Sequence, residues 1–175
     1  LGDAELFSWM ENSAAAILEQ EVSVLEELIR KNVAFKAKIV SADERERGIR
    51  AHLNLGHTFA HAIEKTTGYG VIKHGEAVSL GMIAACRCAM ELGICGSEVY
   101  DRLVKLICAV GLPERVPLVS DESLLRAMRH DKKAVNGRIR FVLPRNIGEV
   151  GIYDQIPEKC LNAAWEEIRS RGEDV

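Results

Sequence analysis

The chain has 175 residues, of which 47% are apolar and 28% charged, and its mean hydropathy is −0.02. This length and composition predict a folded protein with a sizeable buried core, and they exclude a disordered, collagen-like or disulfide-scaffold chain. A net charge of −3 and an aromatic content of 5% supply neither the positive field nor the stacking surface that nucleic acid binding uses. We therefore expect no nucleic acid partner.

The longest apolar stretch, residues 77–90, is shorter than the roughly 20 residues of a membrane span and is interrupted by Ser79 and Arg87. We expect a buried helix there and no membrane association. The residues after Leu1 show neither the basic start nor the apolar segment of a signal peptide. The five cysteines follow no metal-site or disulfide spacing, so we expect reduced core thiols in a cytoplasmic protein.

Apolar spacing and capping residues predict a mainly helical chain. The predicted helices cover residues 3–18, 21–42, 54–66, 75–93, 97–111, 122–130 and 157–171. Asp3, Asn54, Ser97 and Asp121 are the predicted N-caps. In the second helix, apolar residues recur at three- and four-residue steps: Val22, Leu25, Ile29, Val33 and Val40.

The one predicted β-hairpin joins residues 138–143 to residues 149–153 through a Pro-Arg-Asn-Ile-Gly turn. The sequence shows no internal repeat and no low-complexity segment. The predicted fold is therefore a mainly α, multi-helix domain with one small β-hairpin, covering residues 1–175 as a single unit.

Four of the five histidines lie between His52 and His74. His57 and His61 are four residues apart, which places them on one helix face, and His74 lies at the start of the next helix. Imidazoles are frequent zinc ligands. An HxxxH pair alone is nevertheless more often made of ordinary hydrogen-bonded helix residues, and we assign no function to His52 or His130.

Carboxylates and cations near these histidines leave several interpretations open. Glu64 and Glu76 are possible metal ligands, although such residues at helix ends are more often solvated or capping charges. The Asp-Lys-Lys cluster at 131–133, with Arg138 and Arg140, can bind an anion or form a solvated basic loop. Neither a G-x-G-x-x-G sequence nor a Walker-type loop is present, so we expect no nucleotide site on this chain.

Three separated motifs are more specific than any single residue. The chain reads Asp-Glu-Arg-Glu-Arg-Gly-Ile-Arg over 43–50, Leu-Asn-Leu-Gly-His-Thr-Phe-Ala-His-Ala-Ile-Glu over 53–64, and His-Gly-Glu-Ala-Val over 74–78. Asp-Lys-Lys at 131–133 and Arg-Phe-Val-Leu-Pro at 140–144 follow in order and spacing. Together these motifs resemble the 3-dehydroquinate synthase family over essentially the whole chain.

The resemblance implies an enzyme of the shikimate pathway, which leads to the aromatic amino acids. It would convert 3-deoxy-arabino-heptulosonate 7-phosphate to 3-dehydroquinate and phosphate, using catalytic NAD and one divalent metal, Zn2+ or another such as Co2+. In the family, an N-terminal Rossmann-like domain binds NAD, and a C-terminal helical domain carries most metal and substrate contacts. This chain resembles the helical half, so we expect it to be inactive alone and the complete enzyme to be a homodimer.

The motif match also implies individual roles. His57 and His74 match the metal-binding histidines, and the family's third ligand, a Glu, belongs to a segment that precedes Leu1. The other matched residues bind substrate: Arg50 and Lys36 at the carboxylate, Asn54, His61 and one of Lys132 or Lys133 around the phosphate, with Glu46 behind them orienting water or a cation.

Two alternatives remain open at this point. A related sugar-phosphate cyclase such as 2-deoxy-scyllo-inosose synthase shares the Asn-x-Gly-His-Thr and His-Gly motifs, although Arg50 and Lys36 favour a substrate that carries a carboxylate. A non-catalytic helical module with a structural HxxxH metal site is the second alternative.

Overall fold

The structure is a computed structural model that describes residues 1–45, 48–68, 70–116, 123 and 139–169. Within these ranges the chain is mainly helical with one β-hairpin, which confirms the predicted fold class. The elements are α1 (Ala4–Leu18), α2 (Val22–Ala42), a 3₁₀ helix (Ile49–Asn54), α3 (His57–Thr67), α4 (His74–Glu91), α5 (Ser97–Ala109), β1 (Phe141–Asn146), β2 (Glu149–Tyr153) and α6 (Glu158–Ile168). The helix predicted over 122–130 lies outside the described residues.

Helix α4 is the central element of the fold. It packs against α3, α5, α6 and β1, and most of its length is buried. Small residues allow this burial, because they let neighbouring backbones approach the helix closely. The closest approach is at Gly81, where a Cβ atom would lie 2.2 Å from the carbonyl oxygen of Gly56.

An aromatic cluster fixes α3 and the hairpin to the same core. The ring of Phe59 in α3 lies 5.1 Å from that of Trp165 in α6 and 5.7 Å from that of Phe141 in β1, measured between centroids. All three side chains are buried. Because Phe59 follows His57 by two residues, this packing also anchors the start of α3.

The helix starts agree only in part with the predicted caps. Asp3 caps α1, its carboxylate accepting a hydrogen bond of 2.8 Å from the Leu6 amide. The prediction that Asn54 caps the third helix was wrong: Asn54 ends the 3₁₀ helix, and Gly56, with φ of +80°, precedes α3. Ser97 is the first residue of α5 rather than its cap, which is Gly96.

The hairpin is antiparallel; its second strand has the predicted bounds, whereas its first strand lies further along the chain than predicted. Phe141 pairs with Tyr153 and Leu143 with Gly151. Pro144 was assigned to the turn but belongs to β1, which a proline tolerates because this strand is one edge of a two-stranded sheet. The tight turn is made instead by Ile147 and Gly148, the latter at φ of +91°.

The apolar residues of α2 are covered unevenly. The exposed fractions of Val22, Ile29 and Val33 are 72%, 63% and 61%. Others, such as Leu25, are half-buried, and Ile39 is the buried residue of this helix. The predicted helix is therefore present, but the described residues cover its apolar face only in part.

The cysteines are free thiols, as predicted, although they are not all in the core. Cys86, Cys88 and Cys160 are buried, Cys95 is half-buried and Cys108 is exposed. Burial raises the pKa of Cys88 to about 12 and that of Cys86 still further above its ordinary value. These two sulfurs are therefore protonated at neutral pH and poor metal ligands.

Within the described ranges, no helix is both long and apolar enough to cross a bilayer.

The Gly56–Gly81 contact predicts opposite effects for one substitution at two positions of α4. Gly81→Ala places a methyl group closer to a backbone oxygen than their van der Waals contact distance. We therefore expect a loss of about 1–3 kcal/mol of unfolding free energy. Gly75→Ala is the matched control, because its Cβ would meet no atom within 4 Å. We expect that variant to gain about 0.5–1 kcal/mol. Urea unfolding of the two variants measures both values, and equal stabilities would contradict the close approach.

Candidate metal and substrate site

Two histidines meet where α3 and α4 begin. His57 is the first residue of α3 and His74 is the first residue of α4. The packing of these two helices brings the imidazole centroids to 5.4 Å, with an angle of 67° between the ring planes. The structure thus brings together the two histidines that the sequence predicts as metal ligands.

Each of these rings has a hydrogen-bond acceptor at Nδ1. His57 Nδ1 lies 3.3 Å from the Leu55 carbonyl oxygen, and His74 Nδ1 lies 3.0 Å from Glu64 Oε1. Because a carbonyl oxygen and a carboxylate only accept, both Nδ1 atoms donate. In this tautomer the lone pair of each ring is on Nε2, the atom through which an imidazole would bind a metal ion.

The separation of the rings fits a shared zinc ion. Zn–N bonds are about 2.0–2.1 Å long, and a ring centroid lies about 1 Å behind the nitrogen, so two imidazoles at a tetrahedral angle have centroids about 5 Å apart. The described residues form no group of three or more His, Cys, Asp or Glu placed to hold an ion. The histidine pair can contribute at most two imidazole ligands, and a zinc site requires at least one more.

His61 extends this group along α3. Its ring centroid lies 6.0 Å from that of His57, and the two planes are almost perpendicular at 89°. Next to His57, Thr58 donates a 3.1 Å hydrogen bond to the carbonyl oxygen of Arg140, which ties the start of α3 to the residue that precedes β1. Two residues of the predicted phosphate and anion site, His61 and Arg140, therefore lie near the histidine pair.

A cavity of about 730 Å³ opens beside His57. Lys36 from the exposed side of α2 lines it, as does His52, to which the sequence analysis gave no function. The rest of its wall is largely apolar and includes Ile39, Leu55, Val78 and Met82. Lys36 and His57, two predicted site residues from separate motifs, thus line the same space.

Arg50 and Asn54 lie on the 3₁₀ helix, in a segment organised by Asp43. The Asp43 carboxylate accepts hydrogen bonds from the amides of Gly48 and Arg50, at 2.7 and 3.1 Å. The Arg50 guanidinium donates to the carbonyl oxygen of Glu44. Neither Arg50 nor Asn54 is among the described residues that line the cavity. The predicted site residues Glu46, Lys132 and Lys133 lie outside the described residues.

The two glutamates considered as metal ligands have different hydrogen-bond partners. Glu76 accepts a 2.9 Å hydrogen bond from the Lys73 amide and so caps α4. Glu64 instead contacts His74, a pairing that the sequence analysis missed by treating Glu64 as more often a solvated or capping charge. A signal was available: Glu64 follows His57 by seven residues, so both lie on one face of α3.

Comparison with known proteins supplies the family. A profile of the C-terminal part of 3-dehydroquinate synthase matches residues 1–134. The chain belongs to the 3-dehydroquinate synthase family. Enzymes of that name from Desulforamulus reducens and Rhodopirellula baltica are 43% and 44% identical over 92% and 93% of this chain, and one from Acidithiobacillus ferrooxidans is 41% identical over 98%. The chain spans 44–47% of these curated relatives.

Solved sugar-phosphate cyclases share the fold of this family member. 2-epi-5-epi-valiolone synthase from Streptomyces hygroscopicus, with NAD+ and Zn2+ bound, superposes with a TM-score of 0.84 at 23% identity, over 96% of this chain and 47% of that one. 2-deoxy-scyllo-inosose synthase, complexed with carbaglucose-6-phosphate, NAD+ and Co2+, gives a TM-score of 0.73 at 25% identity, over 83% of this chain and 42% of that one.

The geometry of the histidine pair predicts which imidazoles hold metal. In the complete protein, we expect His57→Ala and His74→Ala each to abolish stoichiometric zinc binding, because each removes one of two convergent ligands. His52→Ala is the control, since His52 lines the same cavity but is not part of the ring pair. Zinc content after dialysis, measured by mass spectrometry, checks this. Full zinc retention by both the His57 and the His74 variant would contradict their assignment as metal ligands.

Proposed function

We propose that the complete protein is a 3-dehydroquinate synthase, which converts 3-deoxy-arabino-heptulosonate 7-phosphate to 3-dehydroquinate and inorganic phosphate in the shikimate pathway. The observation that carries this proposal is the 5.4 Å approach of His57 and His74, which come from two separate family motifs. Relatives of that name, more than 40% identical over nine-tenths of the chain, support it.

Two groups from outside the chain complete the proposed site. A divalent metal, Zn2+ or another such as Co2+, held by His57 and His74 and by a third ligand, supplies a Lewis acid for the substrate hydroxyls. NAD, bound by an N-terminal domain outside this chain, supplies the hydride acceptor and donor. We further propose a cytoplasmic enzyme that is a homodimer when complete.

The residues of this chain bind and orient the substrate. Lys36 presents an ammonium group at the wall of an otherwise largely apolar cavity, where a carboxylate is the complementary partner. Arg50 is the second proposed carboxylate ligand, and its planar guanidinium suits bidentate contact. The proposed phosphate-binding residues are Asn54, His61 and one of Lys132 or Lys133.

A second candidate is a cyclase acting on a sugar phosphate without a carboxylate. The observation in its favour is the structural similarity to 2-deoxy-scyllo-inosose synthase complexed with carbaglucose-6-phosphate. Lys36 weighs against it, because a cation at the cavity wall favours a substrate that carries a carboxylate.

Substrate choice separates the two candidates. With NAD and Zn2+ added, we expect the complete protein to release phosphate from 3-deoxy-arabino-heptulosonate 7-phosphate and to form 3-dehydroquinate, but not to release phosphate from glucose 6-phosphate. The 175-residue chain alone, shown to be helical by circular dichroism, should release none from either substrate. A preference for glucose 6-phosphate would favour the second candidate, and phosphate release by the short chain would contradict the requirement for an N-terminal domain.

The proposed carboxylate contact predicts that charge alone is not sufficient at position 50. Arg50→Lys keeps the positive charge but loses the two-pronged guanidinium, so kcat/KM of the complete enzyme should fall by about 10-fold or more. Arg45→Lys is the matched control in the same motif, and we expect it to be unchanged. Steady-state phosphate release measures both variants; an unaltered kcat/KM for Arg50→Lys would rule out the bidentate contact.

A further inference from the structure

The proposed function does not use the contact between Glu64 and His74. Glu64 lies near the C-terminal end of α3, whereas His74 opens α4, and the 3.0 Å bond joins Oε1 to Nδ1 across ten residues of chain. The Glu64 side chain is 15% exposed, while that of His74 is 58% exposed. A largely enclosed carboxylate therefore holds an imidazole that is open to solvent.

An exposed side chain at the first position of a helix samples several rotamers unless a contact restrains it. His57 is partly buried and has a backbone carbonyl at its Nδ1. The His74 side chain is more exposed, and the hydrogen-bond acceptor described for its ring is Glu64. The two rings can offer Nε2 to one ion only while both are held, so the orientation of the pair depends on this carboxylate.

We propose that Glu64 is a positioning residue for the metal ligand His74. By accepting a hydrogen bond from Nδ1–H, it fixes the tautomer in which Nε2 carries the lone pair and limits rotation of the ring, and its negative charge strengthens that hydrogen bond. Glu64 acts through His74 and does not itself contact the ion. The inference rests on the proposed metal site, and the test below separates failure of one from failure of the other.

The test compares substitutions at two glutamates of the complete protein. Glu64→Ala removes the acceptor, and Glu64→Gln keeps an acceptor oxygen without the charge. Glu76→Gln is the matched control, because Glu76 lies two residues after His74 and accepts a hydrogen bond from the Lys73 amide rather than from the ring. Zinc affinity is measured by competition with a chromophoric chelator, and the visible absorption of the Co2+-substituted protein reports the geometry around the ion.

We expect Glu64→Ala to weaken zinc binding by about 10- to 100-fold, the range typical for loss of a carboxylate behind a histidine ligand, and to shift the Co2+ bands. Glu64→Gln should retain an affinity between those of the parent and the alanine variant. Glu76→Gln should lower the urea midpoint of the metal-free protein but leave zinc affinity and the Co2+ spectrum unchanged, which separates positioning from general stability.

Three results would overturn the proposal. Parent-like zinc affinity for Glu64→Ala would show that His74 binds the ion without the Glu64 contact. Equal losses of zinc affinity in the Gln and Ala variants would show that the hydrogen bond does not account for the effect. Complete loss of zinc binding in Glu64→Ala, as in the histidine variants, would make Glu64 a ligand. Full zinc binding by His57→Ala and His74→Ala would instead refute the metal site itself, whatever the Glu64 variants do.

Discussion

The backbone contact between Gly56 and Gly81 is the constraint on which the candidate site depends. It requires glycine at position 81, because a Cβ there would lie 2.2 Å from the Gly56 oxygen, and it lets α3 start directly against α4. Gly56 itself adopts a φ of +80°, which ends the preceding 3₁₀ helix and redirects the chain into α3. The next residue is His57. The position of one metal-binding candidate is thus set by packing between backbones rather than by its own side chain.

Local signals in the sequence predicted the elements but not their exact starts. The Asp3 cap, the long α2 and the central apolar α4 follow from periodicity and capping, which act within a few residues. Asn54 looks like a cap by the same rules. It instead ends the 3₁₀ helix, and Gly56 takes the left-handed conformation where its backbone contacts Gly81 of α4, a distant part of the chain. Capping rules consider only residues close in sequence, so they do not include such a contact. The offset of β1 has a similar origin, since Pro144 fits an edge strand once the two-stranded pairing is known.

The site shows the same division between local and tertiary information. The motifs identified His57 and His74 because each lies in a string that the 3-dehydroquinate synthase family shares with related sugar-phosphate cyclases. The sequence did not reveal that Glu64 contacts His74, since this pairing depends on how α3 and α4 cross. It also did not reveal that Lys36 and His52 line one cavity with His57. Lys36 lies on α2, where several apolar residues stay exposed, so the amphipathic pattern that predicted the helix did not indicate what its apolar face packs against.

Metal binding and the union of two protein segments are linked in the proposed enzyme. A zinc ion needs at least three protein ligands, and the helical part described here brings two imidazoles within 5.4 Å of each other, measured between centroids. The family resemblance assigns the third ligand to a glutamate that precedes Leu1. An ion shared in this way would stabilise the arrangement of that segment against α3 and α4 by its own binding free energy, because it binds only the assembled form. The exposure of His74 agrees with the proposed role: its Nδ1 contacts Glu64, while 58% of its side chain stays accessible to a ligand that approaches from another segment.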